Sequence, residues 1–197
     1  MKLVRALVLA ATAAVAASAC GGGSQESGNN TTTGPAAGSA VPFDQAFIDA
    51  MIPHHRDAVE MAEAARERGL TQPDLQKIAA DIIDSQQAEI DQMLDWRERW
   101  FGSRQLGPLM PEVLGVSDAE MGMEHGSGDE IAGAVDVDAK FAQMMIPHHE
   151  GAIAMATVAQ DRAEHEEIET LAAAIIAAQE REIGVLQKHA GGEHHGS

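Results

Sequence analysis

One short segment occurs twice in this sequence, and that repeat constrains the fold more than any other feature. Met-Ile-Pro-His-His stands at residues 51–55 and again at residues 145–149. A second matching motif, Gln-x-x-Glu-Ile, stands at residues 86–90 and 179–183, so both motifs recur at nearly the same separation. The chain is therefore predicted to contain two copies of one structural unit.

Each copy is predicted to fold as two long helices joined by a turn. Apolar side chains recur at helical spacing, and Ala, Glu, Gln and Met are good helix formers. Strands are not expected, because no stretch alternates polar and apolar residues and tyrosine is absent. Repeat one at 43–101 and repeat two at 137–189 can bury one shared core as an all-α four-helix bundle, within a domain at 42–190. The long connection between the repeats is expected to cross the bundle.

The N-terminal segment has the pattern of an exported lipoprotein. Residues 1–19 combine two early cations with an apolar run, which is typical of a secretory signal peptide. Small residues precede Cys20, the only cysteine and the predicted lipidation site; the alternative is an ordinary cleaved signal with an unmodified cysteine. Residues 20–41 predict a flexible linker, since they are rich in Gly, Ser and Thr. The expected location is the outer face of the cell membrane or the periplasm.

The net charge of the chain limits the classes of molecule that it is expected to bind. The formal net charge is -18, which repels phosphate backbones and anionic lipid and attracts cations. Nucleic acid is therefore not an expected partner, and the lipid anchor is the only expected membrane contact.

The repeated motif places histidine beside methionine on an apolar helix face. A helical projection groups these side chains in one broad apolar arc of the first helix in each copy. The proline of each motif is expected inside its helix, where it bends the axis near the histidines. The candidate metal ligands are His54, His55, His148, His149, Met51, Met61, Met145 and Met155.

The second helix of each copy carries a Gln and a Glu on an otherwise apolar face. These are Gln86 with Glu89, and Gln179 with Glu182. A buried carboxylate needs a partner, and the nearest candidates are the histidines of the preceding helix. Two interpretations stay open: His–Glu hydrogen bonds that fix the helix register, or a metal site with these residues behind the ligands. Both can hold together, because one ring nitrogen can bind metal while a carboxylate orients the other.

The donor chemistry favours copper, as Cu(I) or Cu(II). Imidazole and thioether without thiolate suit copper better than zinc, magnesium or calcium. A ferritin-type iron site is disfavoured, because no Glu-x-x-His faces inward. A second, flexible metal cluster is predicted in the connection and near the C-terminal tail at 191–197, where His-rich segments bind several metals. Its members are Met121, Met123, His125, His189, His194 and His195.

The paired motifs resemble the bacterial domain-of-unknown-function family 305, whose members carry Met-(Ile/Val)-Pro-His-His followed by Gln-x-x-Glu-Ile. The resemblance covers about residues 42–189. It implies a ferritin-like four-helix bundle made of two repeated helical hairpins with a long crossing connection. It also implies export and, in some members, copper binding and copper tolerance through the His and Met positions of the motif.

Two functional hypotheses follow from the sequence. The first is an extracytoplasmic lipoprotein that sequesters or delivers copper through His and Met sites. The second is a structural or partner-binding bundle with buried His–Glu networks and no metal. The sequence has no Gly-x-Ser-x-Gly motif and no evident nucleophile with a base, so an enzyme is not expected.

Overall fold

Six helices account for most of the chain that the structure, a computed structural model, describes: residues 41–122 and 128–191. The predicted signal peptide and Cys20 lie outside this described part, as does nearly all of the linker. The helices are α1 (Phe43–Arg68), α2 (Pro73–Phe101), α3 (Pro111–Leu114), α4 (Gly128–Ala132), α5 (Val137–Arg162) and α6 (Glu166–Leu186). No β-strand occurs within these residues, so the predicted all-α class is confirmed.

The ends of the long helices follow from local sequence. Gly69 ends α1 in the left-handed conformation, with φ of 93°, and its N–H donates to the carbonyls of Ala65 and Arg66. Pro73 then occupies the first turn of α2, where a missing N–H costs nothing. Pro53 lies inside α1 and Pro147 inside α5, as the helical pattern around them predicts.

Two aspartates fasten the hairpins to each other in a reciprocal way. Asp44, in the first turn of α1, accepts hydrogen bonds from the N–H groups of Glu164 (3.1 Å) and His165 (2.9 Å), between α5 and α6. Asp138, in the first turn of α5, accepts from the N–H of Thr71 (2.9 Å), between α1 and α2. The start of α1 therefore lies beside the end of α5, and the start of α5 beside the end of α1. The two helices are antiparallel.

The connection between the hairpins packs onto the bundle. Leu114 of α3 is buried in one apolar cluster with the first half of α1 and the second half of α5. Ile131 of α4 is buried in the other cluster, with the second half of α1 and the first half of α5. The connection therefore crosses from one end of the bundle to the other, as expected. No helix in the described part of the chain is long and apolar enough to span a membrane.

Candidate metal centre

The motif histidines meet in the interior of the bundle. His54 of α1 and His148 of α5 face each other across the two helices, with ring centroids 3.8 Å apart. His54, His55 and His149 have no exposed surface, and His148 is 3% exposed. The antiparallel packing of α1 and α5 thus brings both copies of the motif to one place.

The neighbouring histidine of each motif reaches the second helix of its own hairpin. Nε2 of His55 lies 2.7 Å from a carboxylate oxygen of Glu89, and Nε2 of His149 lies 2.6 Å from one of Glu182. The His–Glu hydrogen bonds of the first interpretation are therefore present in both repeats.

The Gln-x-x-Glu motif, predicted on a buried face, is buried at its glutamines and only partly buried at its glutamates. The side chains of Glu89 and Glu182 are 21% and 17% exposed, while Gln86 and Gln179 are each 3% exposed. A glutamate that reaches both water and a buried imidazole keeps part of its hydration. Its charge therefore costs less to place there than an isolated buried carboxylate would.

His54 is held as a neutral imidazole. Burial, with a smaller effect from the nearby His55 and His149, lowers the pKa of His54 from 6.5 to about 3, and hydrogen bonds to the Met121 and His148 backbone oppose this shift. A neutral imidazole retains a lone pair on one ring nitrogen, which is the form that binds metal.

The four candidate methionines divide equally between two apolar clusters. Met51 and Met155 belong to one apolar cluster, and Met61 and Met145 belong to the other. Each cluster therefore contains one candidate thioether from each repeat, and all four residues are at most 1% exposed. Along α1 and α5, the histidines stand between the segments that belong to the two clusters.

Met121 does not belong to a flexible, exposed cluster, and that prediction is wrong. Its side chain is fully buried in the core, and its carbonyl oxygen lies 3.0 Å from Nε2 of His54. We call residues 115–122 the strap, because this segment runs across α5 at Gly151. A Cβ on Gly151 would stand 2.1 Å from the Met121 oxygen, so only glycine lets the strap approach this closely. The Gly-flanked sequence of the segment suggested exposure, whereas the glycines serve close packing.

The rest of the predicted flexible cluster is only partly visible. Met123, His125, His194 and His195 lie outside the described residues. His189 follows α6, and its Nε2 lies 3.0 Å from a carboxylate oxygen of Asp74 at the start of α2. This histidine therefore joins the two second helices of the hairpins.

The core residues fit a soft metal ion by donor type. Within residues 41–122 and 128–191, no three His, Cys, Asp or Glu side chains are grouped so that they could hold a metal ion. The same residues do contain buried ring nitrogens with no hydrogen-bond partner among the described residues: Nδ1 of His54, His55 and His149. An unsatisfied buried nitrogen is costly, and a bound ion would satisfy it. With thioethers nearby, the donor set suits copper or silver.

The chain is similar to CopM, of which metal-bound structures have been solved. The Cu(I)-bound form is 34% identical, over 74% of this chain and 93% of CopM, with a TM-score of 0.59. The Cu(II)-bound form is 33% identical, over 77% and 98% of the two chains, with a TM-score of 0.61. An Ag-bound form is 32% identical, over 77% and 97%, with a TM-score of 0.62.

The chain is also similar to a DUF305 fragment from Deinococcus radiodurans, which is 30% identical over 78% of this chain and 99% of the fragment, with a TM-score of 0.63. No curated protein matches the sequence. The model of the family described as "Domain of unknown function (DUF305)" matches residues 44–190. Because this match spans nearly all of the helical domain and well over half of the sequence, the chain belongs to the DUF305 family.

Proposed function

We propose that this protein binds copper outside the cytoplasm and sequesters it or passes it on, without catalytic turnover. The observation that carries the proposal is the meeting of both His-His motifs in the bundle interior. The ring centroids of His54 and His148 lie 3.8 Å apart there, and along α1 and α5 these residues stand between two thioether-containing clusters. Buried neutral imidazole and thioether are donors that soft copper prefers over the harder oxygen-seeking cations.

The similarity to CopM supports copper as the ligand. CopM is about one third identical to this chain, and its structure has been solved in Cu(I)-, Cu(II)- and Ag-bound forms. Silver is a soft ion of the same charge as Cu(I), so its binding in CopM points to a soft donor set there. The candidate residues of this chain form such a set.

Export and anchoring are part of the proposal and rest on the N-terminal sequence. The cationic start, the apolar run and Cys20 after small residues are typical of a lipoprotein signal. Replacing Cys20→Ser should release the protein from the membrane fraction, whereas retention in that fraction would contradict lipid anchoring at this residue.

Copper binding is tested by competition with a chromophoric Cu(I) chelator, using the chain that carries Cys20→Ser. We expect the protein to withdraw Cu(I) with a Kd of about 1 μM or tighter, which corresponds to roughly 8 kcal/mol of binding free energy. Failure to compete in this range would exclude the proposal.

Paired substitutions locate the site. Met51→Leu with Met155→Leu removes two thioethers while nearly preserving volume, so we expect weaker copper binding with little loss of stability. The matched control is Met93→Leu with Met144→Leu, at two buried methionines outside the motif set. Equal copper affinity in the two double variants would assign the binding to other residues.

A second function is favoured by one specific observation, the His–Glu hydrogen bond that occurs in both repeats. In a purely structural bundle these pairs would only fix helix register. Protein purified without chelator would then contain no copper, and His55→Ala would lower the melting temperature without changing metal content.

A further inference from the structure

The buried histidines share one hydrogen-bonding pattern that the sequence does not reveal. In His54, His55 and His149 it is Nε2 that meets an oxygen: the Met121 carbonyl at 3.0 Å, the Glu89 carboxylate at 2.7 Å and the Glu182 carboxylate at 2.6 Å. In the same three rings, Nδ1 has no hydrogen-bond partner among the described residues. The same pattern occurs in the first repeat, at His54 and His55, and in the second repeat, at His149.

This pattern determines where the ring proton sits. A carbonyl oxygen can only accept a hydrogen bond, and so can an ionised carboxylate. Each Nε2 must therefore donate, so the single ring proton of the neutral form is on Nε2 in each of these histidines. The lone pair available for a ligand is then on Nδ1, in the dry interior of the bundle.

We propose that His54, His55 and His149 each bind a soft metal ion through Nδ1. The Nε2–H proton is held in place by the Met121 carbonyl in the first ring and by Glu89 and Glu182 in the other two. This inference rests on the proposed copper binding and names the donor atom of each ring. The two glutamates and the strap are positioning groups: they fix the tautomer and the ring orientation before a metal arrives.

The three acceptors are unequal, and so are the imidazoles that they hold. A carboxylate behind an imidazole makes the ring a more basic ligand than a neutral carbonyl does. His55 and His149 are therefore stronger donors than His54. Filling of the sites should follow that order as the metal concentration rises.

Another histidine provides an internal control with the opposite pattern. His165 stacks on Trp100, and its Nδ1 lies 2.5 Å from a carboxylate oxygen of Asp44. Its proton should reside on Nδ1 when the ring is neutral, and it should not respond to metal as the three buried rings do.

The test is a ¹⁵N NMR measurement of histidine tautomers in the chain carrying Cys20→Ser, labelled at the imidazole nitrogens. Single His→Gln variants assign the signals. In metal-free protein at pH 8 we expect the Nε2–H tautomer for His54, His55 and His149, and the Nδ1–H tautomer for His165. Stepwise addition of Ag⁺, which is diamagnetic, should shift the Nδ1 signals of His55 and His149 first and that of His54 later.

The outcomes separate this inference from the proposed function. Binding of Ag⁺ with the shift at Nε2, or an Nδ1–H tautomer in the metal-free protein, would overturn the donor assignment and leave metal binding intact. Absence of any Ag⁺ or Cu(I) binding would overturn both. Simultaneous filling of all three rings would overturn the predicted order.

Two variants test the positioning groups separately. Gly151→Ala places a Cβ against backbone atoms of the strap, so the Met121 carbonyl must move away from His54. We expect a mixture of the two tautomers at His54 in this variant, while His149 remains in the Nε2–H tautomer. Glu182→Ala should do the reverse.

Gly184→Ala is the matched glycine control, because a Cβ at Gly184 meets nothing within 4 Å, and it should change neither ring. Retention of a single Nε2–H tautomer by His54 in Gly151→Ala would overturn the role given to the strap. If Gly151→Ala does not fold, the wild-type tautomers decide the donor assignment by themselves.

Discussion

Burial fixes the protonation state of His54, and this has a measurable consequence for stability. The pKa of this residue falls from 6.5 to about 3, chiefly because of desolvation. Between these two values the unfolded chain carries a proton on His54 that the folded protein does not carry. The free energy of unfolding therefore decreases as the pH falls through this window. Above pH 6.5, where His54 is neutral in both states, this loss of stability does not occur.

We predict a steeper acid sensitivity in the wild type than in His54→Leu. The difference should amount to at most about 1.4 kcal/mol of unfolding free energy per pH unit below the unfolded-state pKa. Urea unfolding of metal-free protein at several values between pH 6 and pH 4 measures it. The variant loses the bond to Met121 at every pH, so only the slope is diagnostic, and parallel slopes would contradict the assignment.

Sequence reasoning identified most of the important side chains but not all of their surroundings. The His and Met positions follow from the repeat and from helical spacing, and the structure places all eight in the interior. The Met121 carbonyl could not be predicted, because a main-chain oxygen leaves no mark in residue identity. Gly151 had a visible signal: it stands where the first repeat has Asp57, and such a departure marks the place where the strap crosses.

Among the contacts between elements, one buried ion pair joins α1 to the last turns of α2. The Arg97 guanidinium donates to Asp49 at 2.6 Å from Nε, and its Nη1 donates to the Ser103 carbonyl at 2.9 Å. Asp49 and Arg97 are 4% and 5% exposed. Removal of the carboxylate would leave a buried cation without its counter-ion.

We predict that Asp49→Ala lowers the free energy of unfolding by about 3 to 5 kcal/mol. The matched control is Lys77→Ala, which removes the exposed pair between Lys77 and Asp81 and should cost less than about 1 kcal/mol. Urea denaturation of both variants compares them directly. A cost for Asp49→Ala no larger than that of the control would show that the ion pair contributes little.

Asp44 and Asp138 each stabilise the contact between the two hairpins. Asp44→Ala leaves the N–H groups of Glu164 and His165 without their acceptor, and Asp138→Ala leaves that of Thr71 without its acceptor, so each substitution should cost about 1 to 3 kcal/mol. The two sites lie at opposite ends of the α1–α5 pair, and the double variant should show the sum of the two costs. If the loss of unfolding free energy in the double variant differs clearly from the sum of the two single losses, the two ends are coupled.

The long helices and the crossing of the connection were predictable, and the burial of the strap was not. Long periodic segments with good helix formers predicted α1, α2, α5 and α6, since local spacing carries that information. The strap has no periodicity, and its burial depends on contacts with α1 and α5 that are remote in sequence. The Asp44 and Asp138 contacts could have been found, because the two residues are separated by the same interval as the motifs.

For the whole molecule, metal binding and folding should be linked. An ion that binds only the folded state stabilises it by an amount set by its concentration relative to the Kd. At 100 times the Kd of Ag⁺, we expect about 2.7 kcal/mol of added stability for one site, seen as a rise in Tm that a chelator reverses. The same rise in the variant with His54, His55, His148 and His149 all replaced by Gln would assign the binding to groups other than these four histidines.

The reciprocal contacts of Asp44 and Asp138 describe a symmetric exchange within one chain. Asp44 contacts the turn near residue 165, and Asp138 contacts the turn at residue 71. In both cases an aspartate of one hairpin accepts a hydrogen bond from the turn of the other hairpin. This is the contact rule of an isologous dimer, with two copies related by a two-fold axis, here joined by a covalent link. A single hairpin therefore has an aspartate and a turn without their partners, and a second copy of the same hairpin would supply both partners.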